Sequence, residues 1–253
     1  MLKWKLMLGT LPYVGLVLAV VLMRDYLFHL PGLFDFSDVS PLLSAVSLII
    51  GFMLAGVLSD FKESEKIPGE IATLLETIED TVEVVIALNK QADVSDFRPK
   101  YQALATTVEK WFLRRADVAE CYTVLDDFRT VSQTMHAAAG VNYTIRCLGE
   151  THNLRRLITR ADVISQTSFL QSGYALLDLL AGTTIMLLLL ANYKSPIAEY
   201  MLIGLFSLIY IYLVRLIRDI DDPFEYDPAG GATGAAEVTP YPLVDYIKRL
   251  KGK

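Results

Sequence analysis

Residues Leu42–Glu70 read LLSAVSLIIGFMLAGVLSDFKESEKIPGE. No charge interrupts the run from Leu42 to Leu58, and charges crowd in from Asp60 onward. The pattern predicts a helix that crosses a membrane and continues into water. Ser44, Leu48, Phe52 and Gly56 recur every fourth residue and fall along one helical face. Ser47, Gly51 and Ala55 form a neighbouring stripe of small residues that permits close helix packing. An apolar rib beside a small-residue groove suits a ring of identical helices, with the rib toward the axis and the groove toward the next copy. The periodicity by itself equally suits packing among the spans of one chain.

Three further runs share this apolar character: Leu6–Met23, Leu170–Ala191 and Ile197–Ile217. Each of the four holds roughly 17–22 residues, enough to cross a hydrocarbon core of about 30 Å at about 1.5 Å per residue. Lys3 and Lys5 precede the first run, as in a signal peptide. Arg24, Asp25 and Tyr26 follow it instead of a small-residue cleavage site, so a retained span is expected. Of the Lys and Arg residues, the loop between the first two spans carries only Arg24, and the loop between the last two only Lys194. The remaining Lys and Arg lie in the termini and the long middle. Both termini and residues 60–167 are therefore expected in the cytoplasm of a multi-pass protein of the plasma membrane.

Bulk properties fit this division. The chain of 253 residues is 53% hydrophobic and 21% charged, with a mean hydropathy of +0.39. That is too apolar for an ordinary soluble domain and too charged for a bare membrane bundle. The net charge of −6, with no basic patch, argues against nucleic-acid binding. Cys121 and Cys147 cannot make a disulfide framework and are expected as reduced thiols.

The middle reads as helices. Ile71, Leu74, Leu75, Ile78, Val82 and Val85 make a 3.6-residue stripe. Ala92–Pro99, ADVSDFRP, breaks it with turn formers. Lys100–Ala138 supports one or two more helices, Gly140 punctuates, and Val141–Gln171 reads as a long helix leading into the third span. Strand signals are weak. PAGGATGAAEVTP (228–240) is expected to be irregular or extended. The expected class is an all-α membrane protein: four transmembrane helices, with a helical cytoplasmic region between the second and third. The expected domains are residues 1–59 (spans one and two), 60–167 (cytoplasmic helices), 168–218 (spans three and four) and 219–253 (cytoplasmic tail).

Catalytic signals are poor. His29, His136 and His152 form no metal-ligand motif, and neither a Walker loop, a GxGxxG nor a GxSxG is present. Cys147 and His152 lack an orienting partner, and two ordinary helix residues is the better reading. Glu70, Glu76, Glu79, Asp80 and Glu83 read as a solvated acidic face rather than a metal site. No catalytic residue, metal or cofactor is expected. Asp178 is the one acid well inside a span, about 12 Å along the helix by its rise. Two readings stand level: a pore or switch residue, or a carboxylate near the interface reached by water or a basic side chain.

The fourth span ends in RLIRDIDDPFEYDP (215–228). Arg215 and Arg218 favour the inner membrane surface and the negative helix end. Arg218 is spaced to pair with Asp222 if the helix runs that far. Pro223 biases Asp222 out of helical geometry and so stops the helix, leaving Phe224 to anchor the departing tail.

Two of these stretches carry a resemblance to a known family. SLIIGFMLAGVLSDFKESEKIPGE, through Gly51, Phe52 and Pro68, looks like the second span of the bestrophin channels and the bestrophin-like membrane proteins of prokaryotes and plants. RDIDDPFEYDP with EVTPYPLVDYIKRL, through Asp222, Pro223, Phe224, Pro242 and Leu243, resembles the end of that family's fourth span and its hydrophobic tail. The order of elements matches over nearly the whole chain. The resemblance implies a homo-oligomer, a pentamer, that conducts ions, chiefly anions in the animal members. Its second span would line a narrow apolar neck, with rings at Ser44, Leu48 and Phe52. Ser44 stands where the family carries a bulky apolar residue, and Asp60 and Phe61 where it carries an Arg/Tyr-Trp-rich stretch. The acidic run of the animal calcium clasp is reduced to scattered Glu225 and Asp227, so no calcium site is expected. The partners expected are membrane lipids, further copies of the chain and permeant ions. The rival expectation is a non-conducting membrane protein whose cytoplasmic helices bind a partner.

Overall fold

The structure, a computed structural model, describes residues 4–29, 31–88, 95–166, 171–227, 231–232 and 236–252. The chain is an all-α protein in which, among the described residues, four helices are long and apolar enough to cross a membrane. It divides into two compact units. One comprises residues 1–61, 168–222 and 234–236; the other comprises 62–167, 223–233 and 237–253.

The first unit holds the apolar helices: α1 (Lys5–Leu22), α2 (Phe36–Ser64) up to Phe61, α7 (Gln171–Leu190) and α8 (Pro196–Asp221). α2 is longer than its uncharged run. It starts six residues before Leu42 and ends six after Leu58, because a helix needs only continued backbone bonding, not continued hydropathy. α1 and α7 both pack along α8. The core joins Leu43, Val46, Ile50 and Val57 of α2 to Leu177, Ala181 and Leu188 of α7 and Ile203, Tyr210 and Ile217 of α8. The lead from α6 into the third span falls on residues 167–170, outside the described residues.

Both short loops lie at one end of this unit. β1 (Phe34–Asp35) pairs in parallel with β2 (Ala191–Asn192), and Leu33 N donates to the Leu190 carbonyl. Arg24, in a π-helical turn (Met23–Phe28) after α1, is the hub beside them. Its Nε donates to Asp25 at 2.7 Å, and its other donors reach the Leu189 carbonyl and the Glu199 carboxylate. Tyr200 donates to the second Asp25 oxygen at 3.0 Å. A guanidinium with five fixed donors is suited to hold three chain segments at once.

The second unit is a helical bundle: α3 (Ile67–Leu88), α4 (Phe97–Phe112), α5 (Val118–Ala139) and α6 (Val141–Gln166), with α9 (Tyr241–Lys251) against α3 and α4. Lys100–Ala138 thus gives two helices. α4 begins at Phe97, so Pro99 sits in its first turn, where its missing N–H costs nothing, rather than in the break. Of the stripe, Ile71, Leu75, Ile78, Val82 and Val85 are fully buried and Leu74 is half-buried. Asp117 and Glu120 close a capping box on α5. Gly140, at φ +89°, turns α5 into α6 in a conformation other residues rarely adopt. Within 228–240, Gly231–Ala232 forms a short strand, β4, antiparallel to Tyr226–Asp227, β3. Such two-residue pairings are too short for sequence periodicity to show.

Both thiols are buried in this unit. Burial pushes Cys121 up to about 12, with Glu120, Asp117 and Asp162 adding to the rise. Burial also raises Cys147 above the ordinary thiol range, and likewise raises the Tyr101, Tyr226 and Tyr246 phenols. Groups held protonated in the fold stabilise it fully below their unfolded values and cease to do so as pH climbs toward the folded ones. Helical content followed by circular dichroism should hold at pH 8 and fall between about pH 9 and 12. N-ethylmaleimide should leave both cysteines unmodified in the native protein at pH 8 and label them after denaturation. Rapid labelling without denaturant would refute the buried placement.

Candidate functional site

α2 has two unlike faces. Leu43, Val46, Ile50 and Val57 are at most 4% exposed and pack against α7 and α8. On the other side Ser44 is exposed, Leu48 is 59% exposed and Phe52 69%. Water would not leave so large a side chain as Phe52 open on an apolar helix at little cost; burying it is worth about 2–3 kcal/mol. The face therefore belongs against lipid or another polypeptide.

The small-residue stripe lies beside it. Gly51 and Ala55 are exposed, and a Cβ built on Gly51 or Gly56 meets none of the described residues within 4 Å. The described neighbours within the chain thus do not require these residues to be small. Ser47 departs from the stripe. Its hydroxyl lies 2.8 Å from the phenol oxygen of Tyr210, which itself donates to the Leu43 carbonyl at 3.1 Å. With the phenol proton committed to Leu43, Ser47 donates. Tyr210 is fully buried and pins α2 to α8 through two turns of α2. Sequence reading missed this contact. Its only signal was a hydroxyl-bearing ring amid aliphatic residues in α8, a polar group that needs a partner where no water reaches.

Asp178 is held by Arg218. The guanidinium Nη2 lies 2.7 and 2.5 Å from the two carboxylate oxygens, and Arg218 also sits over the Tyr174 ring at 5.8 Å. Both side chains of the pair are about half exposed, so the pair contributes at most about 1 kcal/mol. Arg218 turns to Asp178 rather than to Asp222. α8 stops at Asp221, and Asp222, at ψ 82°, has left the helical path that would bring the two together. Arg215 reaches the Gly9 carbonyl of α1 and lies over the Tyr13 ring at 5.4 Å. Gly9 leaves room for it, since a Cβ there would lie 3.0 Å from Arg215 Nη2.

Pro223 follows the helix end, and Phe224 is 4% exposed within the second unit. Its ring meets Phe112 edge-on at 5.4 Å and 74°. Arg114 Nε donates to the Phe224 carbonyl at 3.3 Å, and Val238 N to the Pro223 carbonyl at 2.9 Å. Tyr226 donates to the Val238 carbonyl at 2.6 Å.

The acidic row of α3 is not a uniformly solvated face. Glu70 and Asp80 are exposed, while Glu76 pairs with Arg249 at 2.6 Å and Glu83 with Arg98 at 2.5 Å. Glu79 is 5% exposed and accepts from Tyr246 at 3.1 Å. The packing of α4 and α9 onto α3 buries it, which the charge pattern of α3 alone does not report. Cys147 is buried against Ser132, whereas His152 is exposed on the same helix.

No family model and no curated protein matches the sequence. The fold, however, is similar to solved structures of a bacterial bestrophin homolog from Klebsiella pneumoniae. One single-substitution variant of that protein superposes with a TM-score of 0.75 at 12% identity, covering 98% of this chain and 100% of that one. A second gives a TM-score of 0.72 at 12% identity over 99% of both chains. A structure described as a membrane protein variant gives 0.75 at 12% identity over 97% of each. Identity this low speaks for architecture alone: over nearly its whole length the chain shares the fold of these bacterial bestrophin homolog structures.

Proposed function

We propose that the chain is one subunit of an oligomeric ion channel, a pentamer, in which α2 lines the pore. The observation that carries this reading is the exposed face of α2. Large apolar side chains at Leu48 and Phe52 stand opposite the helix's own core, beside glycines that no described neighbour in the chain packs against. In a ring, the rib would narrow the axis to an apolar neck and the Gly51–Ala55 stripe would receive the next copy. Ser44 would form a wider, polar outer ring. Conduction would be passive, controlled by whether the neck is wet or dry.

Anions are the favoured permeant class. No carboxylate lies on α2 between Val39 and Ser59, so nothing along that face repels them. The protein would sit in the plasma membrane among lipids, with the loops at residues 24–35 and 191–195 outside. Both termini and the helices of residues 60–167, together with the 219–253 tail, would lie in the cytoplasm. Asp178 and Arg218 would then mark the inner surface. Neither an enzymatic role nor nucleic-acid binding is part of this reading.

The test is chloride flux into liposomes holding the purified protein, alongside native mass spectrometry of the same preparation. Flux from a pentamer supports the reading. A monomer without flux overturns it.

A further inference from the structure

α5 and α6 pack against each other and enclose a cavity of about 270 Å³. Among the described residues, α5 lines it with Leu125, Asp126 and Arg129, and α6 with Leu148, Thr151, His152 and Arg155. Leu125 and Arg129 stand one turn apart, and Leu148, His152 and Arg155 follow at steps of four and three, so each helix gives one face to the groove. Arg129 and His152 are exposed, and neither makes a hydrogen bond or ion pair among the described residues. Arg155 is held in place: its Nη2 donates to Asp126 at 2.6 Å, and its guanidinium lies over the Tyr122 ring at 5.4 Å. Its other N–H groups bond to nothing among the described residues. A guanidinium has five donors, so an open edge remains. Thr151 adds no donor, since its hydroxyl proton goes to the Cys147 carbonyl at 2.7 Å.

We propose that this groove binds a small phosphate monoester, its phosphoryl group seated between Arg129 and the open edge of Arg155, with the His152 ring beside it. The ligand class follows from the donors on offer. A phosphate monoester carries about 1.5–2 negative charges at pH 7 and three strong acceptor oxygens. Planar guanidinium forks match such oxygens two at a time. A carboxylate has only two oxygens, fewer than two guanidiniums and an imidazole can serve. Leu125, which is buried, and Leu148, which is 40% exposed, give the organic part an apolar floor. The volume falls below the range of about 300–1,000 Å³ usual for drug-sized ligands, so that organic part is small. Asp126 opposes an anion and is offset by its contact with Arg155; removing its charge should therefore strengthen binding. A soluble ester and a lipid headgroup can present the same phosphoryl group, and the test separates them. The proposal does not depend on ion conduction.

The experiment is calorimetric titration of the full-length protein in detergent with glycerol 3-phosphate and, separately, with dioctanoyl phosphatidic acid, which carries the same group on a lipid. Dimethyl phosphate, a diester, and acetate are the comparison anions. At least one monoester should bind, and about tenfold or more tightly than either comparison anion, since each of these forgoes a charge-assisted contact. Tighter binding of glycerol 3-phosphate assigns the site to a soluble ester, and tighter binding of phosphatidic acid to a headgroup. Arg129→Gln should weaken binding by about tenfold or more. Arg129 is exposed and makes no hydrogen bond or ion pair among the described residues, so this change leaves the fold intact. Asp126→Asn, at a side chain 59% exposed, should tighten binding. The proposal fails if neither monoester binds at millimolar concentration, or if dimethyl phosphate or acetate binds as tightly. It fails equally if Arg129→Gln binds like the wild type or Asp126→Asn binds more weakly.

Discussion

Replacing Phe52 with alanine should raise ion flux through reconstituted liposomes by about tenfold or more. In the proposed ring, each Phe52 points an apolar face at the axis, and an apolar constriction holds water out when its radius is small enough. Alanine removes the whole ring from every subunit at once, so the neck widens by the sum of these changes and wets. The side chain is 69% exposed within the chain, so its removal opens no cavity in the core. Unfolding should therefore be unaffected, which separates a pore effect from a folding defect. Leu48→Ala should act in the same direction and less strongly, because Leu is the smaller side chain. Ser44→Ala should change flux little. Flux that is unchanged in both Phe52→Ala and Leu48→Ala would leave a channel whose pore lies elsewhere.

Phe224→Ala should destabilise the second unit by about 3–5 kcal/mol, the range for deleting a buried aromatic. The ring is 4% exposed and meets Phe112, which Trp111 and Tyr226 also touch. The cavity left would not close easily, because the backbone on both sides is tied: Arg114 holds the Phe224 carbonyl and Val238 holds that of Pro223. Limited proteolysis should show earlier cleavage between Pro223 and Pro240, and urea unfolding should shift its midpoint down. A midpoint within error of the wild type would show that the tail is not anchored at this residue.

The physics that makes membrane helices also makes them legible. An apolar run must bury every backbone N–H and C=O internally, so Leu42–Leu58 and its three counterparts dictate helices by composition alone. The same holds for the amphipathic stripe of α3, whose 3.6-residue spacing places Ile71 through Val85 on one buried side. The stop at Asp222–Pro223 was legible for a local reason as well, since proline constrains the residue before it.

What the sequence left undecided was partnership. Arg218 stood four residues from Asp222 and forty from Asp178, yet the distant carboxylate takes it, because helix packing brings α7 alongside α8 while Pro223 turns Asp222 away. Glu79 looked like its exposed neighbours until α4 and α9 covered it. Tyr210 stands amid aliphatic residues of α8, and only packing revealed its bonds to Ser47 and Leu43. The two faces of α2 show both limits together. Periodicity marked Ser44, Leu48 and Phe52 as one side of a helix. Which side meets the chain's own core was decided by where α7 and α8 lie, since burial depends on neighbours distant in sequence and helical spacing records only the helix itself.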